Sequence, residues 1–220
     1  MPGMPETPNA ARQVSDQPSP RRLLSSQTVY KGRIWDVVSD SFQLSDEGTP
    51  LTRDYIEHPG AVAVLPMNDA GEVLLIRQYR HPVGMDLWEI PAGLLDVEGE
   101  DFVAGAVREL AEEADLVASR WNVLVDFFNS PGSSSEAIRI YLARGLSSVP
   151  DHELHTRTDE EAEIELHWIP LDAALAAVLD GRLHNPSAVV GILAAAAARA
   201  DNFAGLRPAN APWPAHPSQR

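Results

Sequence analysis

The chain has 220 residues, 44% of them hydrophobic, so it can bury the core of one catalytic domain with a small accessory element. The 32 acidic against 17 basic residues give a net charge of −15, which argues against a nucleic-acid partner and requires any anionic substrate to be met by placed rather than abundant arginines. The absence of cysteine excludes disulfides, a thiolate nucleophile and a cysteine-held zinc.

Residues 1–22, rich in Pro, Ser, Thr and Gln, read as a flexible tail without the apolar core of a signal peptide, and a cytoplasmic location is the default expectation. Residues 23–57 read as a small N-terminal β domain, with strands over 27–33, 35–44 and 52–57 around the turn Asp46-Glu47-Gly48. The main domain spans 58–201. Its first hairpin joins strands 61–66 and 72–77 through Asn68-Asp69-Ala70-Gly71. Trp88-Glu89-Ile90-Pro91-Ala92-Gly93 reads as a short buried strand entering a turn, and Asp101 opens a helix with Phe102, Ala106 and Leu110 at four-residue spacing. Further strands are expected over 121–128, 136–143 and 164–169, and helices over 171–179 and 186–200. The apolar run 188–198 is too short for a typical membrane span, so no membrane partner is expected. Residues 202–220, with several prolines and Trp213, read as a second flexible tail carrying an exposed aromatic. The pattern is α/β, a mixed sheet covered by helices and preceded by a small antiparallel β element.

The helix from Asp101 carries the chemistry. Glu109, Glu112 and Glu113 stand at i, i+3 and i+4, so they project from one face and repel one another unless a cation lies between them. Clustered carboxylate oxygens suit a hard divalent ion; the bland alternative is a solvated acidic helix face. The strand and glycine-containing turn just upstream weigh toward a site.

This segment, with Gly93, Glu100, Arg108, Glu109, Glu112, Glu113 and Leu116, resembles the Nudix box. It departs from that pattern twice. Six residues instead of five separate Gly93 from Glu100, and Asp115 stands where a glycine is usual. Asp tolerates a left-handed helix end better than most residues, so local strain is expected there rather than loss of activity. Ile76-Arg77-Gln78-Tyr79-Arg80, the Trp88–Gly93 stretch and Ser130-Pro131-Gly132 followed by Glu136 are similar to the ADP-ribose pyrophosphatase branch, over roughly residues 25 to 200.

The resemblance implies a Nudix-type α/β/α sandwich and hydrolysis of ADP-ribose to AMP and ribose 5-phosphate. Another nucleoside diphosphate sugar, a nucleoside triphosphate, and a catalytically silent nucleotide-binding role remain alternatives. Glu109 and Glu113 are the expected direct ligands, with Glu112 sharing ions. The family adds the Ala92 carbonyl as a ligand, and Mg²⁺ is the expected cofactor with Mn²⁺ as a substitute. Arg108 is expected to orient a carboxylate by salt bridge, while Glu100 caps or braces the helix near its positive end, joins the metal shell or is solvated. The general base is expected in the acidic run Asp159-Glu160-Glu161-Ala162-Glu163, with Glu160 first and Glu161 next; His152, His155 and His167 rank below.

Arg53 and Arg80 are candidates for diphosphate recognition, with Arg77 weaker. Glu89 either reaches an outer ion or pairs with an arginine. Gly132 and Glu136 are placed near the substrate by resemblance, and Tyr30, Trp35 and Tyr55 either enclose an adenine or pack in the core. The family precedent, an N-terminal sheet completing the other subunit's pocket, implies a homodimer.

Overall fold

A computed structural model of the chain describes residues 14–97, 99–157 and 163–219. The first sheet is antiparallel, ordered β1 (Arg22–Lys31), β2 (Asp36–Gln43), β3 (Leu51–Glu57). Every residue of β1 is exposed, so it lacks the one-sided alternation that marks a half-buried strand, and it begins earlier than sequence reading expects. Its length is instead set by pairing with β2, from Arg22 opposite Gln43 to Lys31 opposite Asp36.

The next strands are β4 (Ala61–Pro66), β5 (Glu72–Arg80), β6 (Met85–Glu89) and β7 (Ala92–Leu94), followed by helix α1 (Phe102–Ala114). Two long strands, β8 (Leu116–Phe128) and β9 (Ala137–Ser148), lead to β10 (Glu165–Pro170), α2 (Leu171–Leu179), α3 (Pro186–Ala198) and the two-residue β11 (Arg207–Pro208). The five-stranded sheet runs β11-β8-β9-β4-β7, with β4 parallel to β9 and the other pairs antiparallel, and a second sheet runs β10-β5-β6.

Strand β4 is buried on both faces, and its alternation sorts the core into two layers. Ala61, Ala63 and Leu65 join Ile140, Leu142, Ala188 and Ile192 on the α3 side, while Val62 and Val64 meet Ala106, Leu110 and Ala114 of α1. Helices on both faces of a mixed sheet make the expected α/β/α sandwich. The strand expected before the glycine turn is divided in two, because Ile90 and Pro91 carry the chain from β6 in one sheet to β7 in the other.

The C-terminal segment differs from the expected tail. Residues Arg207 and Pro208 pair with Val123 and Asn122 of β8, and Trp213 is only 6% exposed. Its ring stands 4.9 Å from the Arg139 guanidinium, which also donates to the Ala211 carbonyl at 2.7 Å. A proline-rich stretch has no helical or strand periodicity, yet its fixed φ makes it cheap to order once such anchors exist. Among the described residues no helix is long and apolar enough to cross a membrane.

Candidate active site

Helix α1 is built to hold carboxylates against a strand. Ala106, Leu110 and Ala114 anchor its apolar face at i, i+4 and i+8, and this turns Glu109 and Glu113 inward, 8% and 6% exposed. Glu112 lies half-buried beside them. The Glu109 carboxylate lies where a Cβ at Gly93 would stand, so a side chain at 93 would push that carboxylate out of its present place. One residue earlier, the Ala92 N–H donates to Glu113 Oε2 at 2.8 Å, which places the Ala92 backbone beside the carboxylates.

Arg108 ties the cluster together. Its Nη1 donates to Glu109 Oε1 at 2.5 Å and to Glu112 Oε2 at 3.1 Å, and Nε and Nη2 each meet Glu100 at 3.3 Å. A neighbour in sequence starts on a different side of the helix, but the long arginine stem folds across and brings its fork to the same carboxylates. These contacts, led by the hydrogen bond with Glu100, raise the Arg108 pKa above its ordinary value and keep it charged. Glu100 is therefore a brace on Arg108 rather than a solvated first-turn acid. Gly105 provides room for it, since Glu100 Oε2 comes within 3.0 Å of where a Cβ would stand.

Among the described residues no three His, Asp or Glu side chains stand close enough together to hold an ion as they are arranged. The donor chemistry nevertheless fits a hard divalent cation: Glu109, Glu112 and Glu113 share one face, two of them nearly buried, and a guanidinium already bridges Glu109 and Glu112.

Arg80 and Glu89 form a bidentate pair, Nε to Oε1 at 2.9 Å and Nη2 to Oε2 at 2.7 Å, with Glu89 2% exposed. The arginine pairing weighed for Glu89 is thus present, and it fixes the orientation of the Arg80 fork. Arg77 is engaged at the surface with Asp86 and Glu165. Arg53, exposed on β3, donates to the Thr52 carbonyl.

The loop from Asn129 to Glu136 is zipped onto the end of β3. Ile56 N–H donates to the Ser133 carbonyl and Ser135 N–H to the Ile56 carbonyl, both at 2.9 Å, while Gly132 lies in the exposed turn. Glu136 accepts from Asn129 Nδ2 at 2.7 Å and faces His58 Nε2 at 3.8 Å. Sequence reading did not single out His58. Its Nδ1 accepts from Gly60 N–H, so the proton of the neutral ring sits on Nε2, toward Glu136. The Gly60 turn after the strand was the available signal. Tyr30 and Trp35 are 60% and 40% exposed, against the expectation of core packing, and Trp35 helps line a cavity of about 340 Å³ with Arg33 and His58. Tyr55 is partly buried and donates to Asp40 at 3.3 Å. Glu160 and Glu161 lie outside the described residues.

Asp115 adopts the left-handed conformation expected of it, with φ 54° and ψ 33° at the end of α1.

Residues 57–188 match the NUDIX domain model. Over 190 residues, covering 86% of this chain and 89% of the relative, the sequence is 43% identical to the ADP-ribose pyrophosphatase of Mycobacterium tuberculosis. The chain belongs to the Nudix family. Another relative, the methanol dehydrogenase activator of Bacillus methanolicus, is 32% identical over 78% of this chain and 90% of its own length. A crystal structure of an ADP compounds hydrolase superposes with a TM-score of 0.69 at 21% identity, covering 86% of this chain and 99% of the other, and supports the Nudix fold. The carboxylate helix and the Ala92–Gly93 turn fall inside the matched range; the C-terminal segment that buries Trp213 falls outside it.

Proposed function

We infer that the chain is an ADP-ribose pyrophosphatase: water attacks the diphosphate, one P–O bond of the bridge breaks, and AMP and ribose 5-phosphate leave. The observation that carries this reading is the carboxylate face of α1 pressed onto Ala92 and Gly93, in a chain 43% identical to an ADP-ribose pyrophosphatase. Glu109, Glu112, Glu113 and the Ala92 carbonyl are the proposed holders of Mg²⁺, with Mn²⁺ able to substitute. A divalent ion bound there polarises a phosphoryl oxygen and lowers the pKa of bound water.

The protein's own groups do the rest. Arg108 holds Glu109 and Glu112 in position, and the Ala92 N–H fixes Glu113. Arg80, its fork held by Glu89, and Arg53 bind diphosphate oxygens. Gly132 and Glu136 border the substrate, and the exposed rings of Tyr30 and Trp35 supply stacking surface for adenine. Glu160 or Glu161 accepts the proton of the attacking water. The exposed apolar side chains of the first sheet, Leu23, Leu24 and Val29, fit a second copy of the chain, giving a homodimer in the cytoplasm. The −15 net charge speaks against nucleic acid as a partner.

A second reading, another nucleoside diphosphate compound as substrate, would use the same carboxylate face of α1 and differ in the products released. Product-resolved hydrolysis of ADP-ribose, other nucleoside diphosphate sugars and ATP, followed by mass spectrometry with and without Mg²⁺, separates the readings. Metal-dependent release of AMP and ribose 5-phosphate, fastest from ADP-ribose, is expected. Preference for another substrate would reassign the pocket, and no turnover on any of them would point to a silent binder.

A further inference from the structure

One arginine of the five-stranded sheet lacks an acidic partner. From Arg77 to Arg207 every other arginine meets a carboxylate. Arg144, half-buried on β9, meets none among the described residues. Its single hydrogen bond runs from Nη2 to Asn122 Oδ1 at 3.0 Å, which leaves Nε buried without an acceptor and Nη1 unpartnered. A buried donor with no acceptor is destabilising, and more so when it carries charge.

The neighbours add positive charge rather than remove it. The register sets Arg120 of β8 directly opposite Arg144, and like charges in that relation repel. Burial and the Arg120 charge push the Arg144 pKa below its ordinary value, yet a guanidinium stays charged at neutral pH, so the repulsion persists. Arg120 is 57% exposed, and its own acid compensates weakly: Asp69 stands 3.8 Å away and is 96% exposed. With acidic residues outnumbering basic ones 32 to 17, an unanswered pair of arginines is not a product of abundance. A strained turn holds the Arg144 guanidinium in place. Asn202 and Phe203 are consecutive non-glycine residues with φ 54° and 62°, and the Phe203 ring stands 4.8 Å from the Arg144 Cζ. The Phe203 N–H donates to the Ala198 carbonyl at 2.9 Å and fixes the turn. A left-handed phenylalanine is uncommon, and here it lays an aromatic face against the cation.

The geometry points to Arg120 and Arg144 as a binding site for a phosphate dianion, on the α3 side of the sheet and apart from the carboxylate helix. Phe203 packs with the α3-side core, whereas Ala106, Leu110 and Ala114 of α1 pack on the opposite face. Two guanidinium groups balance two negative charges, so inorganic phosphate or a phosphate monoester fits where a carboxylate would leave one cation uncompensated. Arg144, held by Phe203 and Asn122, is the preorganised half of the site; Arg120 is the exposed half that closes on the anion. The site is independent of the reading that the chain hydrolyses ADP-ribose.

Titration of the metal-free protein with inorganic phosphate, against chloride at equal ionic strength, tests the site through the arginine Nε–H signals of a heteronuclear NMR spectrum. The Arg144 signal is assigned by its loss in Arg144→Lys, which separates this site from any phosphate held by arginines near α1. In the wild type that signal should shift saturably with phosphate and not with chloride. Arg120→Gln, a change at an exposed position, should weaken the response about 10- to 100-fold, the fold-change for losing a hydrogen bond to a charged group. Its melting temperature in phosphate-free buffer should stay level or rise, because a like charge opposite Arg144 is gone. AMP and ribose 5-phosphate, titrated in the same way, identify the source of the phosphate: equal affinities mean that the phosphate alone is read, and a tighter ester means that its organic part is read too. No saturable shift at Arg144 with any of the three, or an equal response in Arg120→Gln, would overturn the site.

Discussion

Two arginines show how the same side chain serves opposite ends in this protein. Arg139, 1% exposed, spans Asp126 with both arms of its fork at 2.7 and 3.0 Å, stacks near Phe102 and Trp213, and donates to the Ala211 carbonyl. Asp126 also takes Arg207 at 2.7 Å, so that group of one carboxylate and two guanidinium ions carries a net +1. Arg108 is shared among Glu100, Glu109 and Glu112, so that group of three carboxylates and one guanidinium ion carries a net −2. The first arrangement closes a fold, with donors and aromatic faces gathered round one cation. The second holds carboxylates together without neutralising them, which suits a place where a further cation is to bind. What separates structure from chemistry here is the local balance of charge, not the presence of an ion pair.

Removing a carboxylate from the acidic face of α1, beside the Arg108 group, should have the largest effect. Glu113→Gln is expected to lower kcat by on the order of 10²–10³-fold, comparable to deleting one preorganised electrostatic group, with the fold retained by circular dichroism. Arg139→Met should act on the other side of the comparison. It leaves Asp126 only 13% exposed and short of one partner, so a loss of about 3 kcal/mol is expected, at the low end for a broken buried pair because Arg207 remains. For a chain of this size that corresponds to a fall in melting temperature of roughly 6–12 °C, and kcat per folded molecule should be close to wild type. Equal kcat losses in the two variants would erase the distinction.

Arg108→Gln is expected to cost about 10- to 100-fold in activity or metal affinity, as for a residue that orients ligands without being one. The smallest effect concerns alkaline stability. Burial pushes the Tyr141 phenol above its ordinary value of 10.0, so the folded protein holds that proton after the unfolded chain has lost it. Stability from this source is complete below pH 10.0 and declines as pH rises beyond it. A thermal-melt series should show a shallower alkaline decline for Tyr141→Phe than for wild type.

The strands, helices and carboxylate face of α1 are legible in the sequence because they rest on short-range spacing, whereas the sandwich arrangement is what the resemblance implies. Ala106 and Leu110 at i, i+4 orient Glu109 and Glu113 with no knowledge of the rest of the chain. The packing of Trp213 is not legible, because its partners Arg139 and Phe102 are remote and a run of prolines leaves no period to read. The same holds for Arg157, which meets Asp115 across 42 residues; the sequence marks only that an acid stands at a left-handed position. That Glu89 takes an arginine partner is legible in outline, but which arginine is not, because the β5–β6 register sets Met85 opposite Arg80 and Ile76 opposite Glu89, and the pair forms only because the long Arg80 side chain reaches along the sheet.

A Mn²⁺ titration of wild type and Glu113→Gln by electron paramagnetic resonance tests most directly whether the acidic face of α1 is a cation site. Saturable binding to the wild type, weakened at least about tenfold in the variant with its melting temperature unchanged, is the predicted result, in line with the measured cost of disturbing metal ligation. Equal affinity in both proteins, or no binding to either, would contradict the assignment and leave the carboxylate helix without the role given to it here.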